Sequence, residues 1–225
     1  MMRISRSNAV SLGLVIVSFA LAAVFYERLP DSIPTHWNAK GVADGYTAKP
    51  WGPFMQPLVM AGVYLVMLVL PRISPRGFRM ERFQSVYEFL MAMLLAFLFL
   101  VNGLVLLAGL GVDVPMARAL HAGTGLFFMT LGNFMGKVTK NFFFGIRTPW
   151  TLANDEVWLR THRLGGKLFV LAGLALVVTG LMGYGPDFVM VLVGVVVVIP
   201  VIYSYVISRR LEGGSTNGEG SRRSL

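Results

Sequence analysis

The chain has 225 residues, of which 55% are hydrophobic and 14% are charged. Soluble domains carry about 25% charged residues, so this composition indicates a membrane protein. The net charge is +9, and it indicates topology and contact with anionic lipid head groups rather than direct nucleic acid binding. The absence of cysteine excludes disulfides, thiolate metal sites and cysteine nucleophiles.

Six apolar runs predict six transmembrane helices, because about 20 apolar residues span the ~30 Å hydrocarbon core. The runs are 9–26, 51–70, 89–112, 119–136, 168–186 and 188–208. Lipid offers the backbone no hydrogen-bond partners, and a helix satisfies its own. The expected fold is therefore an all-α bundle of six transmembrane helices. Arg3 and Arg6 before the first run also fit a cleaved signal peptide, but that run is long enough to span.

The basic residues predict the orientation. If the N-terminus is inside, sixteen of the twenty lysines and arginines lie on the cytoplasmic side. This is a strong positive-inside bias, and it predicts that both termini are cytoplasmic. It also places the long connection 27–50 outside and the long connection 137–167 inside.

The connections suggest a subdivision of the chain. Residues 1–84 form an N-terminal two-helix module with the folded outer loop, and residues 85–210 form a four-helix module. The tail 211–225 is rich in Gly and Ser and is predicted to be disordered. Within the spans, glycines such as Gly125 and Gly132 favour close helix packing.

The outer loop contains the turn-rich segment PDSIPTHWNAKGVADGY at 30–46. Pro34 favours an extended entry, and Trp37 suits the lipid interface. A turn is predicted from Asn38 to Gly41, and a second turn at Asp44-Gly45 would close a small hairpin. The segment reads as a rigid loop that presents aromatic and charged side chains.

His36 has two interpretations. It can hydrogen-bond the backbone of its own loop, or it can bind a metal with His121 and Asp113, which lie on the same side of the membrane. Two imidazoles and a carboxylate are a plausible zinc ligand set. No local spacing resembles a metal motif, so no metal and no cofactor are expected.

The inner loop predicts a short interfacial helix. Asn154 can cap its start, and Gly165-Gly166 are predicted to end it. Trp158, Thr161, His162 and Gly165 would share one face of this helix. The Trp158 and His162 rings can then stack or meet the membrane interface.

The inner loop resembles the signature of the SdpI family. The resemblance rests on NFFFGIRTPWTL at 141–152 and VWLRTHRLGG at 157–166. The segment LPDSIPTHWNAKGVADG at 29–45 resembles the small domain of unknown function that often precedes that signature. The two resemblances follow the family's order and cover most of the chain. They imply a multi-pass protein of the bacterial inner membrane.

The resemblance implies immunity and signalling rather than enzymatic activity. The family takes its name from an immunity protein against a secreted killing peptide, which is understood also to hold an autorepressor at the membrane. The implied partners are the lipid bilayer, an extracellular peptide toxin and a cytoplasmic transcriptional repressor. The residues expected to form a partner or ligand surface are Pro34, His36, Trp37, Asn38, Asp44, Asn141, Arg147, Thr148, Trp158, Thr161 and His162.

Two other classes of protein stay open at this point. A small-solute transporter or channel would need polar groups along a path, for which Glu88, Asn102 and Asn133 are available. A metal-dependent membrane enzyme would need ligands around His36. The oligomeric state is open.

Overall fold

The computed structural model describes residues 5–38, 40–75, 78, 80–183 and 186–222. This part of the chain is mostly helical, with one two-stranded sheet. In chain order the elements are α1 (Arg6–Phe25), β1 (Ser32–Trp37), β2 (Ala43–Ala48), α2 (Gly52–Val69), α3 (Gln84–Gly109), α4 (Met116–Met135), α5 (Pro149–Ala153), α6 (Asp155–Met182) and α7 (Pro186–Arg222). The all-α class expected from the sequence is therefore corrected by one β-hairpin.

Five stretches of the described chain are long and apolar enough to cross a membrane. They are Arg6–Arg28, Gly52–Val69, Met80–Gly109, Asp155–Met182 and Phe188–Glu212, and they match five of the six predicted runs. α4 matches the run 119–136 but falls outside this set, because Arg118, His121 and several glycines lower its hydropathy. A sixth span and the orientation of the termini stay predictions.

α4 packs against α6 through paired glycines. A Cβ atom added at Gly132 would lie 2.5 Å from the carbonyl oxygen of Gly166, and one at Gly125 would lie 2.5 Å from that of Gly173. The pairs run antiparallel, and on each helix the glycines are seven residues apart, as in a left-handed helix pair. Without side chains between them, the two backbones approach closely, which is how helices gain dispersion energy in lipid.

α6 is one continuous helix from Asp155 to Met182. The prediction of a short helix that ends at Gly165-Gly166 is therefore wrong. Both glycines are buried and form contacts: a Cβ on Gly165 would lie 2.5 Å from Ile146 Cδ1. This packing offsets the roughly 1 kcal/mol that a glycine costs inside a helix. The helix has 28 residues and is about 42 Å long, so its polar first turns extend beyond a ~30 Å hydrocarbon core.

α7 extends to Arg222, which differs from the disordered tail predicted for 211–225. Glu212 accepts hydrogen bonds from the side chains of Ser208 and Arg209, each at 3.2 Å. Such contacts one turn apart continue a helix past its apolar part. Residues 223–225 lie outside the described part of the chain.

The connection between α1 and α2 folds as an antiparallel hairpin that packs on the end of α3. Ile33 in β1 is fully buried, and Leu29 is 3% exposed. Both pack onto Gly109 at the end of α3, where an added Cβ would lie 2.8 Å from Leu29 Cδ2 and 3.4 Å from Ile33 Cγ2. The hairpin is thus anchored to the helices by apolar contacts on one of its faces.

The predicted turn at Asn38–Gly41 closes this hairpin. Asn38 Oδ1 accepts hydrogen bonds from the backbone N–H groups of Lys40 at 2.9 Å and Val42 at 3.1 Å. The turn predicted at Asp44-Gly45 is wrong, because both residues lie inside β2. Gly45 is instead needed for strand pairing, since a Cβ there would lie 2.7 Å from His36 Cβ.

The substitution Gly132→Ala should destabilise the protein by about 1–3 kcal/mol, the usual cost of overpacking a tight contact. The added methyl group would meet the backbone oxygen of Gly166, which cannot move away as a side chain can. Thermal unfolding in detergent would measure the loss. Gly103→Ala is the matched control, because an added Cβ there has nothing within 4 Å. Equal stabilities for the two variants would contradict the close approach of α4 and α6.

Candidate functional site

Two folded features lie at opposite ends of α4. At its first turn, Ala117 contacts Gly41 in the hairpin turn. Beyond its last residue, the carbonyl oxygen of Val138 accepts a hydrogen bond from Trp158 Nε1 at 2.9 Å. α4 has 20 residues, which separates the two features by about 30 Å. His36 and His162 therefore belong to different sites.

His162 holds the connection between α4 and α6 against α6 itself. Its Nε2 accepts a hydrogen bond from the Ile146 N–H at 3.0 Å, and its Nδ1 lies 2.9 Å from the Trp158 carbonyl oxygen. A ring that accepts at Nε2 and donates at Nδ1 is the neutral Nδ1–H tautomer. The Trp158 ring stacks on it, with ring centroids 4.0 Å apart. Of the two arrangements expected for these rings, stacking or contact with the membrane interface, the structure has the stacked one.

Gly145 permits the backbone to reach His162. Its φ is +99°, in the region that glycine adopts without a steric penalty. A Cβ atom here would lie only 2.2 Å from His162 Nε2. Any side chain at this position would therefore push the Ile146 N–H away from the imidazole.

Asn141 shapes the turn that leads into Gly145. Its Oδ1 accepts hydrogen bonds from the Phe143 N–H at 2.9 Å and the Phe144 N–H at 2.6 Å. Its Nδ2 donates to the carbonyl oxygens of Thr139 at 3.0 Å and Phe144 at 3.1 Å. The buried amide thus binds two backbone N–H groups through its oxygen and two backbone carbonyl oxygens through its nitrogen.

Thr148 and Thr151 form a reciprocal capping box at the start of α5. Thr148 Oγ1 accepts from the Thr151 N–H at 3.2 Å, and Thr151 Oγ1 accepts from the Thr148 N–H at 2.8 Å. Thr151 Oγ1 also donates to the Ile146 carbonyl oxygen at 2.9 Å. Thr148 Oγ1 lies 3.0 Å from Ser204 Oγ on α7. The capping box therefore ties α5 to both the connection and α7.

Six buried residues of this region, together with Gly145 in the turn beside them, are called the signature cluster below. The six are Asn141, Thr148, Thr151, Trp158, Thr161 and His162. Of the residues expected to form a partner surface here, five are at most 6% exposed: Asn141, Thr148, Trp158, Thr161 and His162. Asn141, Thr148, Trp158 and His162 direct polar atoms at groups of the protein itself. Thr161 Oγ1 is buried and has no hydrogen-bond partner in the described part of the chain. The expectation of a partner surface made from these residues stays a prediction.

Arg147 is the sixth of those expected residues, and it is exposed. Its guanidinium donates to the Phe142 carbonyl oxygen and lies 6.0 Å from the Phe142 ring centroid. Phe142 is 43% exposed. The structure thus presents a cation next to an aromatic ring on the outside of the signature cluster.

The hairpin presents a second exposed group. His36 Nδ1 lies 2.5 Å from Asp44 Oδ1, and the two side chains are 72% and 44% exposed. Instead of bonding the loop backbone, His36 thus binds a carboxylate on the neighbouring strand. Pro34 pairs with Tyr46 across the strands, and Tyr46 is 60% exposed.

Trp37 and Asn38 have structural positions in the hairpin. Trp37 is half-buried and packs against the cluster formed by Leu29, Ile33 and the end of α3. Asn38 closes the turn. Of the hairpin residues expected to meet a ligand, His36 and Asp44 are the most accessible.

The residues considered for a metal site are not brought together. His121 packs against Gly180 of α6, where an added Cβ would lie 2.7 Å from His121 Cβ. Asp113 is exposed in the connection from α3 to α4. Within the described ranges, no group of three or more His, Asp or Glu side chains has the arrangement of a metal site.

Ser204 was not identified from the sequence. It is fully buried and joins the capping box from α7, 56 residues away from Thr148. The signal in the sequence was a serine hydroxyl in a mainly apolar run, and such a hydroxyl can also bond its own helix, as Ser204 does to Val201.

Apolar helices that carry folded, polar structures at both ends of a bundle define a multi-pass membrane protein. Comparison with protein families finds matches in two parts of the chain. Residues 137–204 match the SdpI/YfhL protein family. Residues 13–61 match a domain of unknown function, DUF1648. The resemblance to the SdpI family is thereby confirmed, with the signature cluster inside 137–204 and the hairpin inside 13–61.

The chain is also similar to a curated protein. Immunity protein SdpI of Bacillus subtilis (strain 168) is 29% identical over 210 residues, which cover 92% of this chain and 99% of that protein. No solved structure matches the chain. The boundary between modules at 84/85 is not tested by these matches and stays a prediction.

The substitution Gly145→Ala should release the connection from His162. Loss of one buried hydrogen bond costs about 1–3 kcal/mol, so hydrogen-exchange protection of the Ile146 amide should fall by about ten- to a hundred-fold. Gly136→Ala is the control at the start of the same connection, because its nearest neighbour would be Arg163 Cγ at 3.7 Å. Unchanged protection in Gly145→Ala would show that the Ile146–His162 hydrogen bond does not hold the connection.

Proposed function

We propose that this protein gives its cell immunity to a membrane-active peptide toxin. The observation that carries the proposal is the similarity to immunity protein SdpI, which extends over 99% of that protein. The similarity spans both the hairpin and the signature cluster. Both folded ends of the molecule are therefore shared with a protein that bears the name of an immunity protein.

The hairpin is the proposed meeting place for the toxin. Its apolar side is fixed to α3 through Ile33, and its other side exposes His36, Asp44 and Tyr46. A rigid surface loses little conformational entropy on binding, and an exposed tyrosine is a common anchor in protein interfaces. A membrane-active peptide would contact this surface close to the lipid.

The proposal includes a cytoplasmic partner, a transcriptional repressor held at the membrane. Arg147 and Phe142 offer it a cation and an aromatic ring, a combination frequent at protein interfaces. The signature cluster keeps them in place, because Arg147 lies between Ile146 and Thr148, which are both hydrogen-bonded. In this arrangement the repressor binds the nucleic acid, and this chain does not.

The proposed topology has six spans in the bacterial inner membrane, with both termini in the cytoplasm. The close contacts between α4 and α6 support α4 as a span. At one end of the contact Gly180 packs against His121, and at the other end Gly166 packs against Gly132, so α4 lies alongside α6 between these points. The excess of basic residues at the end with the signature cluster supports the orientation. The hairpin then lies outside.

The proposal contains no catalytic step and no transport path. Asn102 is 1% exposed inside α3, Asn133 is exposed on α4, and Glu88 accepts a hydrogen bond from Gln84 at 2.8 Å. These three polar side chains have different surroundings, which does not favour a common polar path.

Expression of the chain in a toxin-sensitive bacterium should protect it from a secreted killing peptide. The double substitution of His36 and Tyr46 to Ala should lower the tolerated peptide concentration about tenfold, which corresponds to about 1.4 kcal/mol of binding. Colony counts after exposure to a panel of peptides measure this effect.

Leu171→Ala is the control for that experiment, because Leu171 is 62% exposed on α6 and lies far along the chain from the hairpin. Arg147→Ala should keep protection but lose retention of the repressor at the membrane, as measured by cell fractionation. No protection by the wild-type chain against any peptide of the panel would contradict the proposed function.

The cysteine-free chain allows a direct test of topology. Tyr46→Cys should react with a membrane-impermeant maleimide in intact cells, whereas Glu156→Cys should react only after the membrane is opened. Both positions have exposed side chains. Labelling of Glu156→Cys in intact cells would reverse the proposed orientation.

A further inference from the structure

A cavity of about 580 Å³ opens at the end of the bundle that carries the signature cluster. Three segments form its walls: the turn before α3 with Arg82, the chain after α4 from Gly136 to Lys140, and the first turns of α6 with Asp155, Trp158 and Leu159. The proposed immunity function does not use this cavity. It lies beside the signature cluster and shares only Trp158 with it.

The cavity carries an excess of positive charge. Three basic side chains line it, those of Arg82, Lys137 and Lys140, against one acidic side chain, that of Asp155. Lys140 Nζ is paired with Asp155 Oδ1 at 2.5 Å. Within the described part of the chain, neither Arg82 nor Lys137 makes an ion pair. Two positive charges are therefore left for a ligand.

The position of Lys137 indicates where the cavity lies relative to the membrane surface. Its Nζ lies 4.6 Å from the centroid of the Phe134 ring on the last turn of α4. A lysine at the end of an apolar helix places its ammonium group at the boundary between hydrocarbon and water. Lipid phosphate groups lie at this boundary, and the inner leaflet is the one whose anionic lipids attract basic residues.

The walls also suit an amphiphile. Leu159 and the indole of Trp158 supply apolar surface next to the charged side chains. Arginine binds phosphate oxygens through its planar guanidinium, and lysine binds them as a point charge. A free anion would use the charges alone, whereas a lipid head group would use the charges together with the apolar wall.

We infer that this cavity binds the phosphate group of an anionic lipid, with Arg82 and Lys137 as the phosphate ligands. The bound lipid would connect the turn before α3, the end of α4 and the start of α6. It would thereby fasten the surroundings of the signature cluster to the membrane surface.

The test measures binding of phosphatidylglycerol to the purified full-length chain in a neutral detergent by native mass spectrometry. Phosphatidylcholine and inorganic phosphate serve as parallel probes. The double substitution of Arg82 and Lys137 to Gln should weaken phosphatidylglycerol binding about 30-fold, because each basic residue near an anionic lipid contributes about a fivefold factor. Arg82→Lys with Lys137→Arg should restore most of the affinity.

The matched control substitutes Gln for Arg160 and Arg209, which removes the same charge outside the cavity. These two arginines are paired with Glu156 and Glu212, and the control should bind the lipid as the wild type does. Equal weakening in both double variants would overturn the site in favour of general attraction between charges. Binding of phosphatidylcholine as strong as that of phosphatidylglycerol would also overturn it, and so would binding of inorganic phosphate in preference to the lipid.

Discussion

The contact between α4 and α6 is the interaction on which the end with the signature cluster depends. In lipid, two helices gain little from hydrophobic burial, so their association relies on close packing. The absence of side chains at Gly132 and Gly166 lets the backbones meet, and an added Cβ at Gly166 would lie 2.6 Å from the Gly132 carbonyl oxygen. This approach brings Val138, just beyond α4, within hydrogen-bond distance of Trp158 on α6.

The signature cluster is built on that contact. Trp158 and His162 project from α6 toward the chain that leaves α4, and each makes one hydrogen bond to a backbone group of that chain. The matched SdpI/YfhL region thus includes residues that hydrogen-bond the connection between α4 and α6 and hold it in one conformation. The hydrogen bonds of Ile146 and Thr148 also fix the backbone on both sides of the exposed Arg147.

The sequence predicted the helical runs, because apolar length is a local property. It predicted that Trp158 and His162 share a face, since positions four apart lie on one side of a helix. It failed at Gly165-Gly166, where a local rule for helix termination was overridden by packing against Ile146 and Gly132. It failed again at Asp44-Gly45, where the glycine lies within a strand and not in a turn. A side chain at this position would collide with His36 on the paired strand.

The sequence by itself determined that the chain is a membrane protein with two elaborate connections, because composition and the spacing of charges report directly on transfer into lipid. The tertiary structure decided which of the named residues are buried and which are exposed. From the sequence alone, the polar residues Asn141, Thr148 and His162 are expected on the protein surface. Only the folded chain places backbone N–H and C=O groups around them, and a buried polar group must satisfy its hydrogen bonds wherever the fold provides partners.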